Sequence, residues 1–414
     1  MTRTLITLSA LLAGYFMLQM SNGLQGSLLA VRADLEGFGA TVAGLVMSGF
    51  FVGMGIGSLL AGRMIERVGH VRTFAALASV ASAAALVHLV VIQPVVWIAV
   101  RAITGFCFAG LLVVVESWLN ASVASRERGR LLSIYAMVGM AAGAVGQLLL
   151  DAADPAGFML FVLVSIGLSL ALVPSTLSRA TAPVPDVAQE RPSVGQLWQI
   201  SPFGAVAMAM AGATIGTFFG LAPVFAQRIG FTPSDIAYLM AAATLGGMAL
   251  QFPVGALSDR LDRRWVCIGL ALTAAATMAL LGLSTAPAFG PGLAIAALMG
   301  GVLLPTTSVV VAHINDRAPP EALLAASGGI VLMQGIGAAL GPFLGGAAMD
   351  TIGPRGFLLT LSAVQAVIVV FALVRIVLNH NIEPDRKTPY APVPMTQVEG
   401  ELHMPEHEDA PAPA

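Results

Sequence analysis

The segment Gly62-Arg-Met-Ile-Glu66-Arg67-Val-Gly69-His-Val-Arg72 stands between two long apolar runs. A related segment, Gly255-Ala-Leu-Ser-Asp259-Arg260-Leu-Asp-Arg263-Arg264, occurs 193 residues later in the same setting. The two segments align on a glycine, an acidic residue four positions on and the arginine that follows it. Paired segments of this kind indicate internal duplication in a membrane protein. The sequence therefore predicts two related halves.

The composition excludes most soluble classes of protein. Of the 414 residues, 57% are hydrophobic and only 10% are charged, whereas soluble domains carry about 25% charged residues. The net charge of −2 provides no basic field that would attract nucleic acid. Both cysteines, Cys107 and Cys267, lie in apolar runs, so we expect no disulfide framework and no metal site.

The apolar runs have the length of membrane-spanning helices, which need about 20 residues each. We predict twelve spans, at about 5–31, 41–61, 72–92, 95–118, 131–150, 157–174, 203–226, 236–257, 265–284, 290–312, 325–348 and 357–378. The runs are continuous and not alternating, so the predicted fold is an all-α polytopic membrane protein with two six-helix bundles.

The basic residues predict how this fold lies in the membrane. With the N-terminus inside, 16 Arg and Lys residues fall in cytoplasmic segments and 3 in outer loops. Basic residues favour the cytoplasmic side. We therefore expect both termini in the cytoplasm and the protein in a bacterial inner membrane.

Four parts of the chain follow from the span positions. We predict an N-terminal bundle over 1–175, a cytoplasmic linker over 176–200, a C-terminal bundle over 201–378 and a disordered cytoplasmic tail over 379–414. The tail is rich in Pro and Glu, a composition typical of disorder. We expect no catalytic role for the linker or the tail.

The paired segments resemble the signature of the major facilitator superfamily between spans 2 and 3, which is Gly, then Asp-Arg beginning four positions on, one residue and Gly, followed by basic residues. This chain differs by having Glu66 in the first copy and Asp262 where the second copy should have a glycine. The resemblance implies substrate binding near the midplane, transport by alternating access and no enzymatic activity. The resemblance also implies that these segments act as gates. The alternative is that they only anchor the topology of the protein in the membrane. The residues concerned are Gly62, Glu66, Arg67, Gly69, Arg72, Gly255, Asp259, Arg260, Arg263 and Arg264.

Further segments resemble a narrower group, the bacterial YcaD-like branch. They are Val-Val-Val-Glu116-Ser117-Trp118-Leu-Asn120, Arg128-Gly129-Arg130, Gly146-Gln147 and Gln251-Phe-Pro253 with Ser258-Asp259-Arg260. Members of that branch have unsettled substrates, so the resemblance implies a mechanism and no particular solute.

Two ionisable residues, Arg101 and Glu116, lie inside a predicted span, where a charge is costly and usually marks function or a partner. Both are in span 4, about 22 Å apart along a helix, too far for an ion pair. Arg101 is a candidate for coupling or substrate binding, for structural pairing, or for snorkelling to the surface. Glu116 is a candidate proton carrier, a latch to Arg63 or Arg67, or a surface residue.

Polar residues in the spans are candidates for lining a substrate cavity. In span 1, Tyr15, Gln19, Asn22 and Gly26 fall within an arc of about 60°, which faces protein or water or provides interhelical hydrogen bonds. Gln365 in span 12 does not fit the division between cavity-lining and outer helices that the resemblance implies. The other cavity candidates are Gln147, Thr214, Thr217, Phe218, Gln251 and Gln334.

These features predict a secondary transporter for a small neutral or amphipathic organic solute, coupled to protons, with efflux favoured over uptake or facilitated diffusion. The shortage of charge in the spans disfavours a multiply charged solute. The sequence contains no phosphate-binding loop, so an ATP-driven pump is not supported. A receptor or scaffold that signals through the tail is the alternative of another class. We expect a monomer in the lipid bilayer, without a cofactor, metal or nucleic-acid partner.

Overall fold

The structure, a computed structural model, describes residues 2–121, 125–177, 193–283, 289–319 and 322–378, together with Tyr390 and Pro392. Apart from a short 3-10 helix, Leu149–Ala152, the elements in these ranges are α-helices. They are α1 Thr2–Leu35, α2 Ala40–Val68, α3 His70–Val90, α4 Pro94–Ala121, α5 Ser125–Leu148, α6 Met159–Leu170, α7 Leu172–Leu177, α8 Val194–Ile200, α9 Pro202–Arg228, α10 Pro233–Arg260, α11 Arg263–Leu283, α12 Phe289–Asn315, α13 Leu323–Ile352 and α14 Arg355–Leu378.

These helices confirm the predicted all-helical membrane fold. Within the described ranges, α2–α5 and α9–α14 are the ten helices long and apolar enough to cross a membrane. The 34-residue α1 and the consecutive helices α6 and α7 take the two remaining predicted positions. We call α1–α7 the N half and α9–α14 the C half. The short α8 lies in the predicted linker, whose residues 178–192 are outside the described ranges.

Helix α2 runs further than the predicted span, through most of the first signature segment. Gly62, Glu66 and Arg67 lie on its last turns, and the helix ends only at Gly69, whose φ is 84°. Glycine adopts this positive φ at little cost, so it ends the helix there. The charged residues end the apolar run but do not break the helix, which explains why hydropathy placed the boundary too early.

The duplication also appears in how neighbouring helices pack. In the N half, a Cβ on Gly53 of α2 would overlap the carbonyl oxygen of Ala102 in α4. In the C half, a Cβ on Gly246 of α10 would overlap the carbonyl oxygen of Ala297 in α12. The two glycines are 193 residues apart, as the signature segments are. Small residues of this kind let membrane helices approach closely, so the repeat preserves a packing contact as well as a motif.

The two halves meet through α1, α2 and α5 on one side and α9, α10 and α13 on the other. Helices α2 and α13 cross closely at two points. A Cβ on Gly44 would overlap the carbonyl oxygen of Pro342, and one on Gly346 would overlap that of Ala40. The residues between the halves therefore lie on these six helices.

Candidate functional site

Charged side chains join the halves at the end of the bundle where α1 ends and α2 begins. Arg228 of α9 pairs with Asp34 of α1 at 2.8 Å and with Asp350 of α13 at 3.5 Å. Asp350 accepts hydrogen bonds from the backbone amides of Ala40 and Thr41, at 2.9 and 2.8 Å, at the start of α2. A carboxylate at a helix N-terminus is favourable. We call this the clasped end, and the opposite end, which carries the two signature segments, the motif end.

A second connection at the clasped end links the 3-10 helix that follows α5 to α10. Asp151 accepts hydrogen bonds from the hydroxyl of Ser234 and, at 3.5 Å, from that of Tyr238. We call the contact surface between the N half and the C half the seam. Deeper in this seam, the Thr244 hydroxyl donates to Oε1 of Gln147 at 2.9 Å, and both side chains are buried. Gln147, predicted to line a cavity, thus bridges the two halves directly.

Within the N half, four side chains form a buried polar network. Nε2 of Gln19 donates to the hydroxyl of Tyr15 at 2.9 Å, and the Tyr15 and Tyr135 rings stack with centroids 4.0 Å apart. The Tyr135 hydroxyl donates to Oε1 of Glu116 at 3.0 Å. This network links the polar face of α1 to the carboxylate of α4. Asn22, on the same face, is half-buried.

Glu116 is therefore held by α5 in this conformation. It is 6% exposed, whereas Arg63 and Arg67, its predicted latch partners, are exposed on the last turns of α2. The hydrogen bond from Tyr135 is one that the sequence did not reveal, because the rotation of α5 against α4 decides it.

Arg101 is buried against an uncharged amide and an aromatic ring. Its Nη1 donates to Oε1 of Gln25 at 3.2 Å, and its guanidinium lies 4.2 Å from the centroid of the Phe50 ring. Among the described residues, Nε of Arg101 and Nε2 of Gln25 have no hydrogen-bond partner. Gln25 was missed by the sequence analysis because it lies off the polar face of α1, although an amide in a span was itself a usable signal.

In the C half, the predicted polar residues pair with neighbouring helices. Gln365 of α14 donates to the hydroxyl of Thr214 at 2.9 Å, which explains a polar residue in an outer helix. Gln251 donates to the hydroxyl of Ser308 at 2.9 Å, and its Oε1 has no partner among the described residues. Thr217 is buried, and Gln334 is half-buried. The structure thus places these side chains in several helix contacts and not in one cluster.

Phe218 belongs to an apolar cavity in the C half. It packs edge-to-face on Phe219 and lies beside Phe357, with ring centroids 5.3 and 6.5 Å away. The cavity is also lined by Met240 and Met299. Its walls can accept apolar groups but offer few hydrogen bonds.

The two signature segments differ in their surroundings. In the first, Glu66, Arg67 and Arg72 are exposed. In the second, Arg263 pairs with Asp316 at 2.8 Å and with Asp259 at 3.2 Å.

Arg264 completes this ion-pair cluster. It pairs with Asp262 at 2.8 Å and is only 1% exposed. Burial opposes ionisation of Asp262, but the hydrogen bonds and charge of Arg264 outweigh it and lower the pKa of that carboxyl. The remaining signature residues lie at two helix ends. The last turns of α2 contain Gly62, and Gly69 follows that helix, while the last turns of α10 contain Gly255 and Arg260.

Taken together, the groups near the seam suit binding better than catalysis. The deeper contact between the halves is made by an amide and a hydroxyl, Gln147 and Thr244, and the described part of the chain holds no cluster of three residues able to ligate a metal.

Comparison with known proteins identifies the class. The model of the Major Facilitator Superfamily matches residues 11–248 and 203–405, so the chain belongs to that family of membrane transporters, which are not enzymes.

The sequence relatives place it in the YcaD branch. An uncharacterized MFS-type transporter from Enterobacter sp. (strain 638) is 30% identical over 80% of this chain and 86% of its own length. The YcaD transporter of Salmonella typhimurium is 27% identical over 88% of this chain and 94% of its own.

Solved structures agree on the fold. The nucleoside transporter NupG has a TM-score of 0.73 at 13% identity, covering 91% of this chain and 99% of its own. A bacterial homologue of the human lysosomal transporter Spinster, in an inward-facing and unoccupied conformation, has a TM-score of 0.69 at 14% identity, covering 90% and 95%.

Proposed function

We propose that this protein is a secondary transporter that moves a small neutral or amphipathic organic solute by alternating access. The observation that carries the proposal is the chemistry of the seam, where two uncharged side chains, Gln147 and Thr244, join the halves by a buried hydrogen bond. A neutral solute with hydrogen-bonding groups matches such side chains without the desolvation cost of a charge. An amphipathic solute could place its apolar part against Phe218.

The proposed orientation puts the motif end in the cytoplasm of a bacterial inner membrane. The 16 to 3 distribution of basic residues supports it, since positive charge favours the cytoplasmic side. The clasped end then faces outward, and the ion pairs of Arg228 hold that side together. In this orientation the structure corresponds to a conformation closed to the outside, and we expect the protein to act as a monomer.

Coupling to protons is assigned to Glu116, with Arg101 as the second coupling candidate. Glu116 is the buried carboxylate of α4, and Tyr135 and Tyr15 connect it to Gln19 on the polar face of α1. Protonation of Glu116 would remove a buried charge and alter the hydrogen bond that Tyr135 donates. Because Tyr135 stacks on Tyr15, such a change would be transmitted to α1.

The first signature segment is proposed as the cytoplasmic gate. Glu66, Arg67 and Arg72 are exposed in this conformation and so are available to pair when the motif end closes. In the second segment, Arg263 already pairs with Asp316 inside the C half. We therefore assign this segment the role of stabilising the C half.

Efflux is the proposed direction, because the apolar cavity beside Phe218 suits amphipathic solutes that enter from a membrane. Uptake of a neutral nutrient, or its facilitated diffusion, is the second candidate. Uptake is favoured by two amide atoms, on Gln25 and Gln251, that have no hydrogen-bond partner among the described residues. Such atoms suit a solute rich in hydrogen-bonding groups.

The proposal is tested by a ligand screen followed by transport assays. Purified protein is screened for solutes that raise its thermal stability, with nucleosides included because NupG is named a nucleoside transporter. Hits are then tested for counterflow in proteoliposomes, with and without a pH gradient.

We expect counterflow of at least one neutral hit and further accumulation when a pH gradient is imposed. Accumulation without a gradient effect would contradict proton coupling, and stabilising ligands that never cross the membrane would contradict transport of that class. The side of the membrane from which the gradient drives accumulation distinguishes efflux from uptake.

A further inference from the structure

The chain returns to the motif end of the C half after its last helix. Tyr390 lies 12 residues beyond the end of α14 at Leu378, yet its ring lies against Gly255 and its amide donates to Asp259 at 3.1 Å. Pro392 is buried, and Tyr390 is half-buried. We call Tyr390 and Pro392 the docked tail. It contacts the second signature segment at the glycine and the acidic residue that define that segment.

The tyrosine ring fills the space that the signature glycine leaves open. A Cβ built on Gly255 would overlap the Tyr390 ring, whose Cδ1, Cε1 and Cγ atoms are the three nearest to it. An alanine at this position would therefore exclude the ring. Asp259 accepts the hydrogen bond from the tail amide while it also pairs with Arg263 at 3.2 Å. The docked tail thus depends on a small residue and a carboxylate that stand four positions apart on α10.

The described contacts of the docked tail all belong to the C half. Gly255 and Asp259 are on α10, and Tyr390 packs against a hydrophobic cluster whose other members lie on α8–α14. A contact confined to one half does not hold the two halves together, as Asp350 does at the clasped end. Its effect on the transport cycle must therefore come from the space that the tail occupies.

That space lies on the side of α10 that faces the N half. Thr244 of α10 donates to Gln147 of α5 across the seam, and Gly255 follows Thr244 by 11 residues, which is close to three turns of a regular helix. At about 100° and 1.5 Å per residue, Gly255 is turned only about 20° from Thr244 and lies about 16 Å nearer the motif end. The docked tail therefore stands where the N half must approach when the motif end closes.

The length of chain before the docked tail allows it to leave this place. Twelve residues can span up to about 40 Å, so the tether does not force Tyr390 onto Gly255. A short tether keeps the tail at an effective concentration in about the millimolar range. One buried ring and one hydrogen bond provide an affinity of about the same order. The contact can therefore form and break within a transport cycle.

We propose that the docked tail is an autoinhibitory contact, which occupies the space beside Gly255 while the motif end is open and must leave before that end closes. A contact shifts an equilibrium only by binding one state better than the other, and the docked tail binds the open state. This role rests on the proposed alternating-access mechanism and adds a control of its rate by the tail. It does not depend on which solute is transported.

The test measures the conformation of the full chain in nanodiscs without solute. Spin labels at Val68→Cys and Val377→Cys, which are 47% and 85% exposed at the motif ends of the two halves, report the distance between the halves. The native Cys107 and Cys267 are buried, so they should not be labelled. We expect a long and a short distance in wild type, with the long one dominant. Tyr390→Ala should raise the ratio of short to long about tenfold, the change expected for the loss of one buried side chain.

A second variant, Gly255→Ala, removes the same contact from the side of α10. The added methyl group excludes the ring without changing the tail, and alanine favours a helix over glycine, so this variant should fold. It should reproduce the shift, and combining it with Tyr390→Ala should add nothing, because each change removes one shared contact. Gly269→Ala on α11 is the matched control, since nothing lies within 4 Å of a Cβ built there, and it should leave the ratio unchanged.

The outcomes distinguish this role of the tail from the proposed function. A tenfold shift in both single variants, with no further shift in the double variant, supports the autoinhibitory contact whichever solute is transported. A ratio that is the same in wild type, Tyr390→Ala and Gly255→Ala overturns it and leaves alternating access in place. A motif end that never closes in any variant overturns both.

Discussion

Thr41 and Asp350 are 309 residues apart and are joined by two hydrogen bonds, from the Thr41 amide at 2.8 Å and from its hydroxyl at 2.7 Å, both to Oδ2 of Asp350. The contact links the start of α2 to the end of α13 and so ties the two halves together. An alternating-access transporter must break such a contact in each cycle.

The first prediction follows from that contact. Asp350→Asn keeps the shape of the side chain but removes the negative charge that stabilises the N-terminus of α2 and pairs with Arg228. The loss of this charge should destabilise the clasped conformation by about 1 kcal/mol. Such a loss shifts the balance between conformations about fivefold. Spin labels at Leu35→Cys and Ile352→Cys, two exposed positions at this end, should report longer distances.

The control for this measurement is Asp154→Asn. Asp154 caps a local turn at the same end by accepting from the amide of Ala156 and does not join the halves. Unchanged distances in Asp350→Asn would show that the other clasp contacts suffice.

The second prediction concerns the repeated glycines. Gly53→Val and Gly246→Val should each destabilise the protein by about 1–3 kcal/mol or more, because the added atoms overlap a backbone carbonyl of the neighbouring helix. Gly55→Val, in the same helix as Gly53, is the control, since nothing lies within 4 Å of a Cβ built there. Thermal unfolding in detergent measures the effect, and equal melting of Gly53→Val and Gly55→Val would contradict the packing argument.

The third prediction separates two hypotheses for Glu116. If this residue carries the proton, Glu116→Gln should abolish accumulation driven by a pH gradient while counterflow continues. Tyr135→Phe removes the hydrogen bond to Glu116 and should shift the pH dependence of accumulation without abolishing it. Loss of counterflow as well in Glu116→Gln would favour the latch or a structural role instead. Asp154→Asn again serves as the control.

The fourth prediction is a pH dependence of stability. The pKa of Asp262 is lowered in the folded protein, since the hydrogen bonds from Arg264 outweigh burial. Its stabilising contribution is therefore fully present above the unfolded value of about 3.9 and is lost as pH falls through the lower folded value. Asp262→Asn should melt below wild type at pH 7, and the difference should shrink in strongly acidic buffer. A difference that is constant with pH would mean that the charge of Asp262 is not what stabilises the cluster.

The fifth prediction concerns Tyr390, beyond the last helix. Its amide donates to Asp259 at 3.1 Å, and its ring lies against Gly255. Tyr390→Ala should lower stability by about 2 kcal/mol through lost apolar burial, while counterflow is retained. Loss of counterflow in Tyr390→Ala would mean that this contact is needed for transport and not only for stability. Apart from Tyr390 and Pro392, the predicted tail over 379–414 lies outside the described residues.

The number of spans and the duplication could be predicted from the sequence because both depend on one-dimensional properties. A helix crosses a bilayer when about 20 successive residues are apolar, and a duplication leaves equal spacings such as the 193 residues between Gly62 and Gly255. The same spacing also separates Gly53 from Gly246, whose packing role was visible only in the structure. Where α2 ends was misplaced, because a helix can continue past the membrane until a residue such as Gly69 stops it.

The tertiary structure alone decided which partner each buried polar group takes. Glu116 contacts Tyr135, Gln365 contacts Thr214 and Arg101 contacts Gln25, and no pattern along the chain specifies these pairs. Partner choice depends on the rotation and tilt of packed helices, which thousands of weak contacts set together. The sequence determined that this chain is a duplicated membrane transporter with few charges in its spans. The packing of its helices decided where those few charges and amides meet.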